Sequence, residues 1–171
     1  MRNIKKQALF AIVAIGMMFS TGAKADSVTL TLTQATEYVS AQTGGTVTFD
    51  ATVSAPAGNS ADIYLNGDSF DLSAPLTLDD TDFFLNFPLD LAPGDSFTGD
   101  LFTVTVPAGV AVEDYLGSFT LQGGADANAS KNLATVSFDV VATPEPSSML
   151  LLITGLIVVA FTLQRRRLIE G

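Results

Sequence analysis

The stretch NGDSFDLSAPLTLDDTDFF, residues 66–84, carries five carboxylates: Asp68, Asp71, Asp79, Asp80 and Asp82. Hard cations are held by clustered oxygen ligands on loops, and Asp79-x-x-Asp82 with Asp80 could supply part of a calcium shell. The spacing is not that of an EF-hand, because no glycine stands at the sixth position and no bidentate Glu at the twelfth. The alternative reading is a solvated acidic loop. Paired carboxylates can also hydrolyse glycosides without a histidine. Against a small hydrolase stand a short body with no second domain or long lid, and the absence of tryptophan for sugar stacking. The chain has no histidine and no cysteine. That inventory excludes Ser-His-Asp and Cys-His nucleophile systems, thiolate metal sites and a disulfide framework. Ser130-Lys131 offers a Ser-Lys pair, but both lie in GGADANASKN, a hairpin loop unable to bury the lysine and depress its pKa. Asn128-Ala129-Ser130 matches the N-glycosylation pattern. No catalytic residue is expected.

The charges are segregated along the chain. Arg2, Lys5, Lys6 and Lys24 stand at the start and Arg165, Arg166 and Arg167 near the end, with Lys131 alone between. Residues 26–142 hold sixteen Asp and Glu against one Lys, a formal charge of −15. Such a surface repels nucleic-acid phosphates, so no nucleic-acid partner is expected; its plainest use is solubility.

The elements that must position any site have a period of two. Apolar and polar residues alternate in 27–33, 46–54, 61–67, 100–106, 117–123 and 134–141, where Val, Thr and Phe dominate. Shorter strands near Thr36–Ser40 and Phe87–Leu91 bring the number to about eight, and alternation implies antiparallel sheets with one wet face. No segment of the body sustains a 3.6-residue period for three turns. The fold class expected is all-β, a two-sheet antiparallel sandwich. Its core is assigned to Phe49, Val53, Ile63, Leu65, Leu89, Leu91, Phe102, Val104, Phe119, Leu121, Val136 and Phe138. Gly44-Gly45 and Pro93-Gly94 suit turns that need positive φ. Tyr115, two positions before Gly117, is placed for a tyrosine corner whose hydroxyl bonds back to the preceding loop. The run FFLNFPLDL, 83–91, reads as a core-facing strand; as an edge strand it would be a docking surface instead. The tetrapeptide GDSF occurs at 67–70 and 94–97, and turn-then-strand consensus explains it.

Both ends of the chain are membrane-active. Residues 1–25 combine three positive charges, thirteen mostly apolar residues from Ala8 to Ser20, and Ala23-Lys24-Ala25. A basic segment, a short apolar segment and an A-x-A site make a secretory signal peptide, with signal-peptidase cleavage between Ala25 and Asp26. At the other end, Met149–Leu163 is uncharged and apolar or small, and a helix over 147–164 is just long enough to span with its polar flanks. The basic cluster Arg165, Arg166 and Arg167 stops transfer and keeps its side in the cytoplasm, as the N-terminal charges keep theirs. Between body and span lie Pro144, Glu145 and Pro146. Two prolines one residue apart hold the backbone extended and remove two amide donors, so this segment leaves the preceding ladder.

The tail ATPEPSSMLLLITGLIVVAFTLQRRR resembles the PEP-CTERM sorting signal of bacterial exported proteins, also known as an "ice-binding protein C-terminal domain". The resemblance covers about 25 residues, with motif, span and arginines in order; the trailing LIEG departs from it. It implies recognition of Pro144, Glu145 and Pro146 by an exosortase-type transpeptidase, removal of the tail, and a Gram-negative host making exopolysaccharide. The body, from about Gly44 to Val141, is similar to bacterial immunoglobulin-like domains in its LAPGDS (91–96) and VPAG…Y-x-G-x-F-x-L (106–121) segments. The Cys…Trp…Cys pins of antibody domains are absent.

The organisation expected is therefore a signal peptide (1–25), an exported immunoglobulin-like β-sandwich (26–142) and a sorting signal (143–171). The function expected is a non-enzymatic structural or adhesive protein of the cell envelope or extracellular matrix, in contact with the membrane before processing and with exopolysaccharide after it. A calcium- or carbohydrate-binding module is the second reading, and a small hydrolase the third. No cofactor is expected unless calcium binds at Asp79, Asp80 and Asp82.

Overall fold

Alternation decides most of the strands in the computed structural model, which describes residues 26–144 and 153–159. In chain order they are β1 (Thr29–Leu32), β2 (Thr36–Ser40), β3 (Gly45–Ser54), β4 (Ile63–Leu72) and β5 (Thr77–Asp79). A short helix α1 (Thr81–Asn86) follows, then β6 (Asp90–Leu91), β7 (Ser96–Val106), β8 (Asp114–Gly124) and β9 (Lys131–Thr143). They form two sheets, a four-stranded one in the order β1-β3-β7-β5 and a five-stranded one in the order β2-β9-β8-β4-β6. The result is a β-sandwich.

Inward residues of both sheets meet in a phenylalanine cluster. Phe102 stacks on Phe49 and Phe119 at centroid distances of 4.9 Å each, and Phe138 tilts against Phe102 at 4.8 Å and Phe49 at 5.0 Å. Each such pair adds about 0.5–1.5 kcal/mol beyond its burial, and together they close the two sheets without a disulfide. Phe49, Phe102, Phe119, Leu121, Val53 and Val104 are sealed from solvent, as expected. Val136 lies only half-buried at the margin.

Outward positions of β3 and β7 face residues of their own kind. Thr46 pairs with Thr105, Thr48 with Thr103, Asp50 with Asp100, Thr52 with Thr98 and Ser54 with Ser96. Hydroxyls meet at 2.8 Å between Thr52 and Thr98 and at 2.7 Å between Ser54 and Ser96. β-Branched threonine suits the pleat, and its hydroxyl keeps that face wet.

Three expectations need correction, and one core residue, Leu101, is additional. Residues 83–91 do not form a core strand: Thr81–Asn86 is helical, and only Asp90–Leu91 joins the sheet, as edge strand β6. Phe83 and Phe87, one helical turn apart, are the residues that enter the core. Leu89, assigned to the core, is 76% exposed, because the chain is extended at Phe87 and Leu89 lies beyond the turn that buries its neighbours. Leu101 is buried beside Phe102, since a register shift after Phe49 leaves it without a partner on β3 and turns it inward. The sandwich is not wholly antiparallel: β2 runs parallel to β9. The chain changes sheets between Leu32 and Thr36, so its first strand is divided, one part on each sheet.

Turn positions behave as their residues dictate. Gly94 has φ of 96° in a turn closed by Asp95 N–H donating to Ala92 O, and Gly44 has φ of 67° after β2. A side chain at Gly44 would also strike the backbone of Val106 and Ala108.

Residues 153–159, inside the apolar span expected over 147–164, are helical. Among the described residues no helix is long and apolar enough to cross a membrane. The remainder of that span lies outside the described residues.

Candidate functional site

The acidic segment is held by local bonds that spend its carboxylates one at a time. Asp79 Oδ1 accepts from the Thr81 N–H at 3.0 Å and from its hydroxyl, which starts α1 and holds the Asp79 carboxyl below the usual range. Asp80 occupies the N-cap position but makes no side-chain cap bond. It faces Asp68, whose strand position opposite Leu121 turns it toward the inside of the sandwich. Burial, and then the charge and hydrogen bond of Asp80, push Asp68 up to about 6. A protonated Asp68 suits this half-buried place beside Asp80 better than a second carboxylate would. Among the described residues no group of three Asp or Glu could hold a metal ion. Asp79, Asp80 and Asp82 are thus not brought together as a calcium shell: the first is committed to Thr81 and the second to Asp68.

Two further acidic contacts arise from pairing across strands. Asp50 and Asp100 are opposite at the β3–β7 register shift. Asp50 is held above the ordinary carboxylate range by its hydrogen bond with Asp100, then by partial burial and the charges of Asp100 and Glu37. Asp139 is also raised, by burial and then by Asp114, and its Oδ1 is buried without a hydrogen-bond partner among the described residues. Lys131 is the single Lys or Arg among the described residues, and it lies where β9 begins opposite Gly123. The Ser130-Lys131 loop is closed by Asn66, whose amide donates to Asp126 O at 2.8 Å and Ala129 O at 2.9 Å. Ser130 and Asn128 are exposed there.

The two candidate processing points border the described body, residues 26–144. Asp26 accepts from the Ser60 N–H at 2.6 Å and from its hydroxyl, tying the first described residue to the body. Ala23 and Ala25 lie outside the described residues. At the other limit β9 runs paired to its last residue. Ala41 N–H donates to Thr143 O at 2.8 Å, and the Thr143 hydroxyl donates to Val39 O at 3.1 Å. Pro144 follows and is exposed. Glu145, Pro146, Arg165, Arg166 and Arg167 lie outside the described residues.

Pro144 forms one wall of an open cleft of about 400 Å³, with Ala41, Gln42, Gly109, Val110 and Val112. Gly109 N–H donates to Ala41 O at 2.8 Å and joins the two loops that make the cleft. The second loop is braced by Tyr115, which is buried and donates its hydroxyl to Ala111 O at 3.2 Å, the backward bond of a tyrosine corner. Val112 is nevertheless 59% exposed. In the sequence, 107–113 reads only as the loop that precedes Tyr115. Its signal was VPAGVAV, an apolar loop between two strands on an otherwise acidic body. The acidic pairs gave no such signal, because their partners are remote in sequence and meet only through register.

No family model matches the chain, and no curated protein matches it. Among solved structures it is similar to native alpha-2-macroglobulin from Escherichia coli, spanning domain MG7 to the C-terminus, at 18% identity and a TM-score of 0.43. The match covers 69% of this chain and 17% of that one.

Proposed function

We propose that this protein is exported across the inner membrane of a Gram-negative bacterium, loses residues 1–25 to signal peptidase, and is sorted by a PEP-CTERM tail. An exosortase-type transpeptidase reads Pro144, Glu145 and Pro146, and the body is released to the envelope or matrix. There it serves as a non-enzymatic structural or adhesive unit among exopolysaccharide. The observation that carries this reading is the fit of the fold between the two processing points. Among the described residues the first tie to the body is at Asp26 and the last ladder bonds of β9 are at Thr143, one residue before the motif. Proline then ends the ladder, as an accessible cleavage motif requires.

The body is read as an immunoglobulin-like domain. Support comes from the order β1-β3-β7-β5 facing β9-β8-β4, which is the A-B-E-D and G-F-C arrangement, and from the tyrosine corner at the start of β8. The hydroxyl ladder of the four-stranded sheet, among acidic groups and with no basic residue, supports a role within a hydrated polymer rather than on an anionic surface.

Mass spectrometry of the mature protein from its own cells tests the sorting. The expected chain begins at Asp26 and lacks everything beyond about residue 146. A mature chain that still carries the arginines would refute it.

A further inference from the structure

The strongest unassigned feature is the cleft at the chain exit, and its value comes from how little slack separates it from the motif. β9 is hydrogen-bonded through Thr143, and Pro144 is itself a wall of the cleft. Successive Cα atoms are about 3.8 Å apart, so Glu145 and Pro146 reach at most about 8 Å beyond Pro144. A protein that encloses Pro144–Pro146 is therefore pressed against the loops at 41–42 and 109–112. Specific interfaces cover about 800 Å² on each partner, far more than three residues supply. The chemistry of the loops matches that demand. Val112 stands 59% exposed and Val110 is half-buried beside it. The loops are held by the Tyr115 and Gly109 bonds, so little ordering is lost when a partner docks. Glu113 and Asp114 follow at the rim, both exposed.

We propose that the cleft formed by Ala41, Gln42, Gly109, Val110, Val112 and Pro144 is a docking site for the protease that removes the tail, so that recognition is bipartite, motif and folded body together. The partner surface it fits is apolar at its centre, to take Val112 and Val110, with basic groups opposite Glu113 and Asp114. This inference rests on the sorting reading. It adds that an unfolded or foreign body carrying the same tail is a poorer substrate.

The test uses the full chain in its native cells, following tail removal by pulse-chase and mass spectrometry. Val112→Asp is expected to slow removal about ten-fold, the scale of losing one well-packed apolar contact. Its released body should melt within about 2 °C of wild type, since the residue is exposed. Inserting a ten-residue Gly/Ser linker between Thr143 and Pro144 should slow removal as well, and the linker should add nothing to Val112→Asp. Normal removal in Val112→Asp, or faster removal with the linker, overturns the docking site. A photo-crosslinker at Gln42 should yield an adduct that vanishes when the transpeptidase gene is deleted; adducts only to lipid or to a second copy overturn it too. Pro144→Ala with Pro146→Ala separates the two readings. If that variant is blocked while Val112→Asp is normal, the docking site alone fails. If that variant is processed normally, the sorting reading itself fails.

Discussion

Replacing Asp68 by Asn should make the body more stable at neutral pH, with a pH dependence that identifies the cause. Asp68 is turned inward opposite Leu121 and shares its space with Asp80, and it is pushed up to about 6 from the usual 3.8. The folded state thus binds this proton more tightly than the unfolded chain does. The stabilisation is complete below about pH 4 and is lost as pH rises through about 6. At about 1.4 kcal/mol per pH unit the ceiling is about 3 kcal/mol, and half-exposure to solvent reduces the expectation to about 1–2 kcal/mol. Asn keeps the shape and can donate to Asp80 without carrying a charge. Residues 26–144, which contain every strand and the whole buried core described, suit urea unfolding followed by circular dichroism. The variant should match wild type near pH 3.5 and exceed it by about 1–2 kcal/mol near pH 7.5, with the gap opening between about pH 4 and 7. Groups whose surroundings are the same in both proteins cancel in the difference. Two curves that stay parallel across this window would show that the fold does not raise Asp68.

Further outcomes follow from single contacts. Tyr115→Phe keeps the ring and removes the hydroxyl that donates to Ala111 O, so it should cost about 1 kcal/mol in urea unfolding. Gly117→Ala places a methyl group 2.3 Å from the Phe138 ring, and the overpacking should cost about 1–3 kcal/mol by the same assay. In a carboxyl-detected NMR titration Asp50 should titrate above the ordinary range, and Asp100→Asn should bring it down. Calorimetry with millimolar calcium on residues 26–144 should show no binding heat, because Asp79 and Asp80 are engaged by Thr81 and Asp68; a saturable signal would restore the acidic segment as a cation site.

Some of this architecture was legible because it depends on neighbours in the chain. Thr46–Ser54 and Ala134–Val141 alternate over enough residues to name a strand and its inward face, and Phe49, Val53 and Phe138 fell into place from that pattern. Pro93-Gly94 specified its turn, since φ at glycine is a local matter. Tyr115 was recognisable from its position before Gly117. The segment 83–91 was misread because a short apolar run cannot separate strand from helix. Its i, i+4 pair, Phe83 and Phe87, spans a single turn, and the Asp79–Thr81 bonds that start the helix are invisible until the turn exists. Leu101 was missed for a related reason. Strict alternation assigns it outward, and only the register shift against β3 reverses it.

The sequence by itself determined the all-β character, the inward faces of the long strands, the charge segregation and the three parts of the tail motif. Each is a property of one continuous segment, governed by a local period or by transfer from water. Tertiary structure alone decided which carboxylates meet, which loop apolar groups remain uncovered, and that Pro144 lines a cleft. Those depend on strand register and on the meeting of loops tens of residues apart. Local propensity carries no record of distances that only closure of the two sheets creates.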